Sequence, residues 1–230
     1  MLTRRDFVSS VALSSLLSGL PAALARAADG AITETPPNVA LDKLMQGNAR
    51  HMKGEYTADN ALKSRMSNFS VGQDPHSVII TCSDSRVVPE IIFDTPPGDL
   101  FVMRLAGNVV SPFVVAGTEY AVQALKVRLV VVMGHTGCGA ISAAVKEIEK
   151  GVTSAGALQQ LVTELLPSVV RVRRNQPVDL VAAAVEENAR FGVDRVASAM
   201  PTIAPLVTAG KVKVVPAVYD LESGAVRVFA

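Results

Sequence analysis

Leu129-Val130-Val131-Val132-Met133-Gly134-His135 runs straight into Thr136-Gly137-Cys138-Gly139-Ala140, and this stretch decides how the rest of the chain is read. The first seven residues carry three β-branched valines in a row and are apolar at odd and even positions alike up to Met133, as in a strand buried on both faces of a parallel sheet. Residues 77–82 (SVIITC) and 99–105 (DLFVMRL) read the same way. Between the last two strands, Val115, Tyr120, Val122 and Leu125 share a stripe that predicts a helix over residues 111–126. Strand, helix, strand predicts a right-handed βαβ unit. Further helices are expected over about 39–52, with Asn38 as cap, and over 140–150, 156–174 and 177–199. Residues 212–219 and 225–229 read as a strand and its hairpin return around Glu222-Ser223-Gly224. The expected fold is α/β: an open, mostly parallel β-sheet flanked by helices, with an N-terminal helical arm and a C-terminal hairpin.

Composition agrees with one such domain. The chain has 230 residues, 49% hydrophobic and 19% charged, which excludes a disordered protein. A net charge of +1 gives no reason to propose nucleic acid or an anionic membrane as partner. The first residues stand apart. Arg4-Arg5-Asp6-Phe7 precedes an apolar run to Leu24 and small residues at Ala23, Ala25 and Ala27, the pattern of an export signal. The paired arginines resemble a twin-arginine signal, which exports folded proteins, so a periplasmic or otherwise exported destination is expected. The run is short and broken by Gly19 and Pro21, so no stable membrane span is expected after processing. Removing residues 1–27 takes away Arg4, Arg5, Arg26 and Asp6 and turns the net charge from +1 to −1. Residues 28–38, with Pro36-Pro37, read as a flexible leader, and residues 39–230 as a single α/β domain.

The chemistry gathers around two cysteines. Cys82 ends one buried strand and Cys138 follows another, so both lie at the carboxyl edge of the sheet, where ligands bind in open α/β folds. His135 stands three residues before Cys138. Cys, His and Cys converging there form the ligand set of a catalytic zinc site that leaves a fourth position for water. A disulfide and two buried thiols are the competing readings. Neither accounts for the histidine and glycine turn beside Cys138, nor for the polar cluster Ser83-Asp84-Ser85-Arg86 beside Cys82. Asp84 and Arg86 are close enough to pair. Asp84 can then either ligate the metal or bind Arg86 and leave the site open.

CSDSR at 82–86 and GHTGCGA at 134–140 together resemble the β-class carbonic anhydrases, and the resemblance extends over the mature domain from Gly47-Asn48-Ala49-Arg50 to the hairpin. It implies zinc, one ion per chain, on Cys82, His135 and Cys138. It implies a dyad of Asp84 and Arg86, with the aspartate accepting a hydrogen bond from metal-bound hydroxide or moving onto the metal. Gln73, nine residues before Cys82, matches a substrate-orienting glutamine of the plant-like branch, and Phe101 and Tyr120 match two pocket aromatics partly shared across a dimer interface. Without the resemblance, the two aromatics would read as core residues. Two departures stand outside the ligand positions: Leu105 precedes Ala106-Gly107-Asn108 where the family often has Asn, and His51 replaces a common Phe. The implied reaction is the reversible hydration of carbon dioxide to bicarbonate and a proton, in a homodimer or higher even oligomer. Hydrolysis of carbonyl sulfide or carbon disulfide on the same scaffold, and a non-catalytic zinc-stabilised binding protein, are the alternatives. His51 and His76 have no evident partner and are expected to be solvated.

Overall fold

The computed structural model describes residues 32–58, 66, 69–70 and 72–230. The expected signal, residues 1–27, lies outside them. Five strands form one sheet in the order β2-β1-β3-β4-β5: β1 (Ser77–Thr81), β2 (Leu100–Arg104), β3 (Leu129–His135), β4 (Lys213–Tyr219) and β5 (Val226–Val228). The first four are parallel and β5 returns antiparallel to β4. All residues of β1 and β3 are buried, which is why their sequences lack a polar face. β2 and β3 are joined through α3 (Pro112–Gln123) as expected, but they do not pair. β1 lies between them and hydrogen-bonds to both.

Successive side chains of these strands enter two cores, as a period of two demands. Ile79, Val131, Met133 and Ala217 pack with Ala40 and Leu44 of α1 (Pro37–Lys53). Val78, Ile80, Val130 and Val132 pack on the other face with Val122 of α3 and Val196 of a long helix, α6 (Leu180–Ala197). That helix lies close: a Cβ on its Gly192 would stand 2.8 Å from Val132 Cγ1 and 2.9 Å from Val110 Cγ2. A third cluster caps the carboxyl edge, where α4 (Gly139–Lys150), α5 (Ala157–Arg173) and α6 close over Cys82 and Cys138. Asp179 starts α6 by accepting from the Ala182 N–H at 2.9 Å, so the helix begins after the expected Pro177.

Asn38 does not cap α1. Pro36 is the cap residue and Pro37 the first helical residue, a position where proline has no lost N–H to satisfy and a preset φ. Asn38 instead lies within the helix and accepts from Lys213 Nζ at 3.1 Å. Pro37 and Asn38 therefore belong to the helix, not to the leader. Thr33 N–H donates to Asp74 Oδ1 at 2.9 Å and Arg128 Nε donates to Glu34 Oε1 at 2.7 Å, which tie the described end of the leader to the body.

One ion pair anchors α1 to the segment after the one-turn helix α2 (Pro89–Ile92). Arg50 Nε donates to Asp94 Oδ2 at 2.5 Å, while Thr57 and Ala58 N–H and the Thr57 hydroxyl complete the shell of this buried carboxylate. Burial opposes the charge, but these donors win and hold Asp94 at a pKa of about 2. Neither α2 nor α7 (Ile203–Thr208) is expected from the sequence, because one or two turns carry no readable period. Among the described residues no helix is long and apolar enough to cross a membrane.

Candidate metal centre at the carboxyl edge of the sheet

β1 and β3 are neighbours in register, Thr81 beside Met133, so the residues leaving them emerge side by side. Cys82 is the first residue past β1, His135 is the last of β3, and Cys138 is the cap residue of α4. All three are buried, and one donor atom from each lies within 4.8 Å of the other two. The two thiols are free, so the disulfide reading is set aside.

The histidine is set for coordination. Nδ1 lies 2.9 Å from the Thr136 carbonyl, which can only accept, so Nδ1 carries the proton. Nε2 is buried and has no hydrogen-bond partner, leaving its lone pair facing the sulfurs. A buried nitrogen left unpaired would be costly, and a metal ion on it removes the penalty. The turn beneath is fixed: Thr136 N–H donates to the Tyr219 carbonyl at 3.0 Å, and its hydroxyl accepts from Leu221 N–H at 3.0 Å.

Cys138 donating to the Cys82 sulfur is the largest cause that lowers Cys82 and raises Cys138. Burial opposes the charge on Cys82, while the N–H groups of Asp84 (3.4 Å) and Gly107 (3.3 Å) support it. Thiolate, neutral imidazole and thiolate at this spacing suit zinc, with one position left open.

Asp84 stands beside this group without joining it. Its Oδ2 is 3.8 Å from His135 Nε2. Arg86 grips it twice, Nε to Oδ1 at 2.9 Å and NH2 to Oδ2 at 2.8 Å, and adds its own N–H at 3.0 Å. These bonds hold the carboxyl far below the usual carboxylate range. Arg104 is a site residue that the sequence reading missed. Its Nε donates to the Cys82 carbonyl at 3.0 Å and its NH2 to the Asp84 carbonyl at 2.5 Å, clamping the loop between them. The signal was a lone charge closing an otherwise apolar edge strand.

Gln73, Phe101 and Tyr120 are placed differently. The rings of Phe101 and Tyr120 meet, with centroids 6.0 Å apart and planes at 42°, on the α3 side of the sheet. Gln73 is exposed, four residues before β1, at the opposite end of that strand from Cys82. One chain does not bring it to the metal group. His51, expected to be solvated, bridges two phenols instead: Nδ1 lies 2.8 Å from Tyr56 and Nε2 3.2 Å from Tyr219. His76 is buried, with Nδ1 2.8 Å from the Ser77 hydroxyl.

A mostly parallel open sheet with two cysteines and a histidine converging at its carboxyl edge fits a catalytic zinc site. Residues 77–226 match the family model for carbonic anhydrase. The chain is 36% identical over 193 residues to carbonic anhydrase 2 of Mycobacterium tuberculosis, covering 83% of this chain and 91% of that one. It resembles the β-carbonic anhydrase CafA of Aspergillus fumigatus with a TM-score of 0.65 and 27% identity, covering 84% of this chain and 89% of the other. A structure of the tetrameric β-carbonic anhydrases of Sordaria macrospora matches with a TM-score of 0.65 and 25% identity, covering 84% and 95%. The chain belongs to the carbonic anhydrases, in their β class, and its reaction is the zinc-dependent reversible hydration of carbon dioxide.

Proposed function

We propose that Cys82, His135 and Cys138 hold one zinc ion per chain and that Asp84, carried by Arg86, is the group working beside it. The observation that carries this is the buried, unpartnered His135 Nε2 within reach of two sulfurs. When bound, zinc acidifies a coordinated water so that a nucleophile exists near neutral pH. Everything else falls to the protein. The Asp84 carboxylate is ionised across the working range, so it accepts and orients a hydrogen bond and does not store the released proton. Arg86 holds it beside the ligand group without joining it, and Arg104 holds the backbone on which it sits. Stopped-flow carbon dioxide hydration with metal analysis tests the reading. The wild type should carry about one zinc per chain, and Cys138→Ser, left with two protein ligands, should lose metal and turnover together. Full zinc in that variant would overturn the ligand set.

Gln73, Phe101 and Tyr120 complete the substrate pocket in the manner of the plant-like branch, with Gln73 supplied by a second copy. Its place at the far end of β1 supports this, as do the half-buried edge strand β2 and the 89% exposed Phe113 at the start of α3. A homodimer or higher even oligomer is then the active unit. Sedimentation of the active enzyme tests this: a monomer with full turnover would exclude it. Arg4 and Arg5 direct export of the folded chain to the periplasm, supported by the apolar run that follows them. Replacing both with lysine should retain the protein in the cytoplasm on fractionation.

A further inference from the structure

We propose that Asn188, on α6 and remote from the reacting atoms, is a positioning residue for the metal centre, acting through the backbone of Gly107 on the Cys82 sulfur. The inference rests on zinc being held by Cys82, His135 and Cys138.

Gly107 sits in the 3₁₀ turn Ala106–Asn108, which follows β2, and has φ 66° and ψ 22°. That backbone is left-handed, and an added Cβ would stand 2.9 Å from Leu165 Cδ1 and 3.2 Å from the Ala140 Cβ. The residue is therefore confined to glycine and has no side chain by which to be held. It is held through its peptide groups. Its N–H donates to Cys82 Sγ at 3.3 Å, and its carbonyl accepts from Asn188 Nδ2 at 2.7 Å.

The Asn188 amide is itself oriented. A carbonyl only accepts, so Nδ2 must face Gly107, and Oδ1 accepts from the Ser168 hydroxyl of α5 at 3.3 Å. Ser168, Asn188 and Gly107 are all buried, so no water stands ready to replace a lost partner. The two peptide planes of Gly107 share one Cα. With φ and ψ held by the turn, whose Asn108 N–H donates to the Leu105 carbonyl at 2.9 Å, the bond from Asn188 to the carbonyl helps set the direction in which the N–H meets the sulfur. Hydrogen bonds on a thiolate tune its strength as a metal donor, and here that tuning is set from two helices 61 and 81 residues away from Gly107 in sequence.

Two measurements on the whole protein test this: zinc affinity by chelator competition, and the thiolate-to-metal charge-transfer absorption after cobalt substitution. Asn188→Leu should weaken zinc binding about 10- to 100-fold and shift the band. Ser168→Ala should move both in the same direction by less. Val196→Ala, a buried truncation on the same helix facing the other core, should lower Tm and leave both readouts at wild-type values. Wild-type affinity and band in Asn188→Leu, or an equal shift in Val196→Ala, would overturn the proposal. If Asn188→Leu fails to fold, unchanged readouts in Ser168→Ala overturn it alone. A wild type that binds no zinc would sink the metal assignment instead, which keeps the two failures apart.

Discussion

Asp84 and Arg86 lie two residues apart at the rim of the metal site, with side chains 18% and 61% exposed, whereas Asp94 and Arg50 lie 44 residues apart with side chains 0% and 34% exposed. Both pairs join a carboxylate to a guanidinium, and both carboxyls titrate below their usual range. The surroundings separate them. Around Asp94 the backbone of Thr57 and Ala58 adds donors, and no oxygen is left facing open solvent, so the pair fastens α1 to the segment after α2. Around Asp84 every strong donor belongs to Arg86, and one oxygen points toward His135, so the pair holds a charge ready beside the metal group. Solvent access and nearness to the metal group, not the chemistry of the pair, divide fastening from working.

The largest effect expected from this contrast is on turnover. Asp84→Asn exchanges a pure acceptor for an amide and should lower kcat by about a hundred- to a thousandfold, the range for losing one oriented hydrogen-bonding group at the reacting atoms. Zinc content and Tm should stay near wild type, because Asp84 is not among the three ligands and its partner is solvated. Wild-type rates across about pH 6.5 to 9, a range spanning zinc-water titration, would reduce Asp84 to a structural partner of Arg86.

Asp94→Ala should do the reverse. It leaves Arg50 and two backbone N–H groups without their acceptor, so unfolding free energy should fall by about 3 kcal/mol, as when a buried pair is broken. Turnover per folded, zinc-loaded molecule should hardly change. Urea denaturation together with active-site-normalised kinetics checks both halves, and a loss of turnover matching that of Asp84→Asn would erase the distinction.

The same distance in sequence explains what could be read in advance. Parallel strands with apolar residues on both faces announce themselves, so interior β1 and β3 and edge strand β2 fall within a residue of expectation. The ligands follow from them, since Cys82, His135 and Cys138 sit where strands end. Asp84 and Arg86 are legible because their partnership is local. Arg50 with Asp94, Arg104 with the Cys82 carbonyl, and Asn188 with Gly107 are illegible for the opposite reason: each contact exists only once register and helix packing are known. Asn38 misled because its side chain suits a helix start, while the adjacent prolines define one through the backbone.

Acid should separate the buried pair again, by a smaller amount. Folded Asp94 holds its proton less tightly than the unfolded chain does, about 2 against an ordinary 3.8. Its contribution is therefore complete above the ordinary carboxylate pKa and is lost as pH falls through about 2. Linkage puts the loss at about 2 kcal/mol. Denaturation of metal-free wild type at pH 5 and pH 2 should show it, and the difference between wild type and Asp94→Asn should shrink by that amount. A constant difference would mean that Asp94 titrates normally in the folded state.

The smallest effect should come from the arginine of the exposed pair. Arg86→Lys keeps the positive charge but replaces a fork that grips both Asp84 oxygens with a single point of contact. Because the guanidinium is largely in water, Tm should not change measurably, as for most solvated ion pairs. The Asp84 carboxylate stays ionised but is oriented less sharply, so kcat should drop by less than about tenfold, well short of the Asp84→Asn loss. Arg50→Lys is the matched comparison. There the Nε donor to Asp94 Oδ2 and the NH2 contact to the Asp94 carbonyl are both removed from a buried acceptor, so Tm should fall while kcat holds. Melting curves and stopped-flow rates for the two lysine variants, side by side, set fastening against working with the charge conserved in each. If Arg86→Lys melted as early as Arg50→Lys, the exposed pair would be a fastening too, and solvent access would not be what divides them.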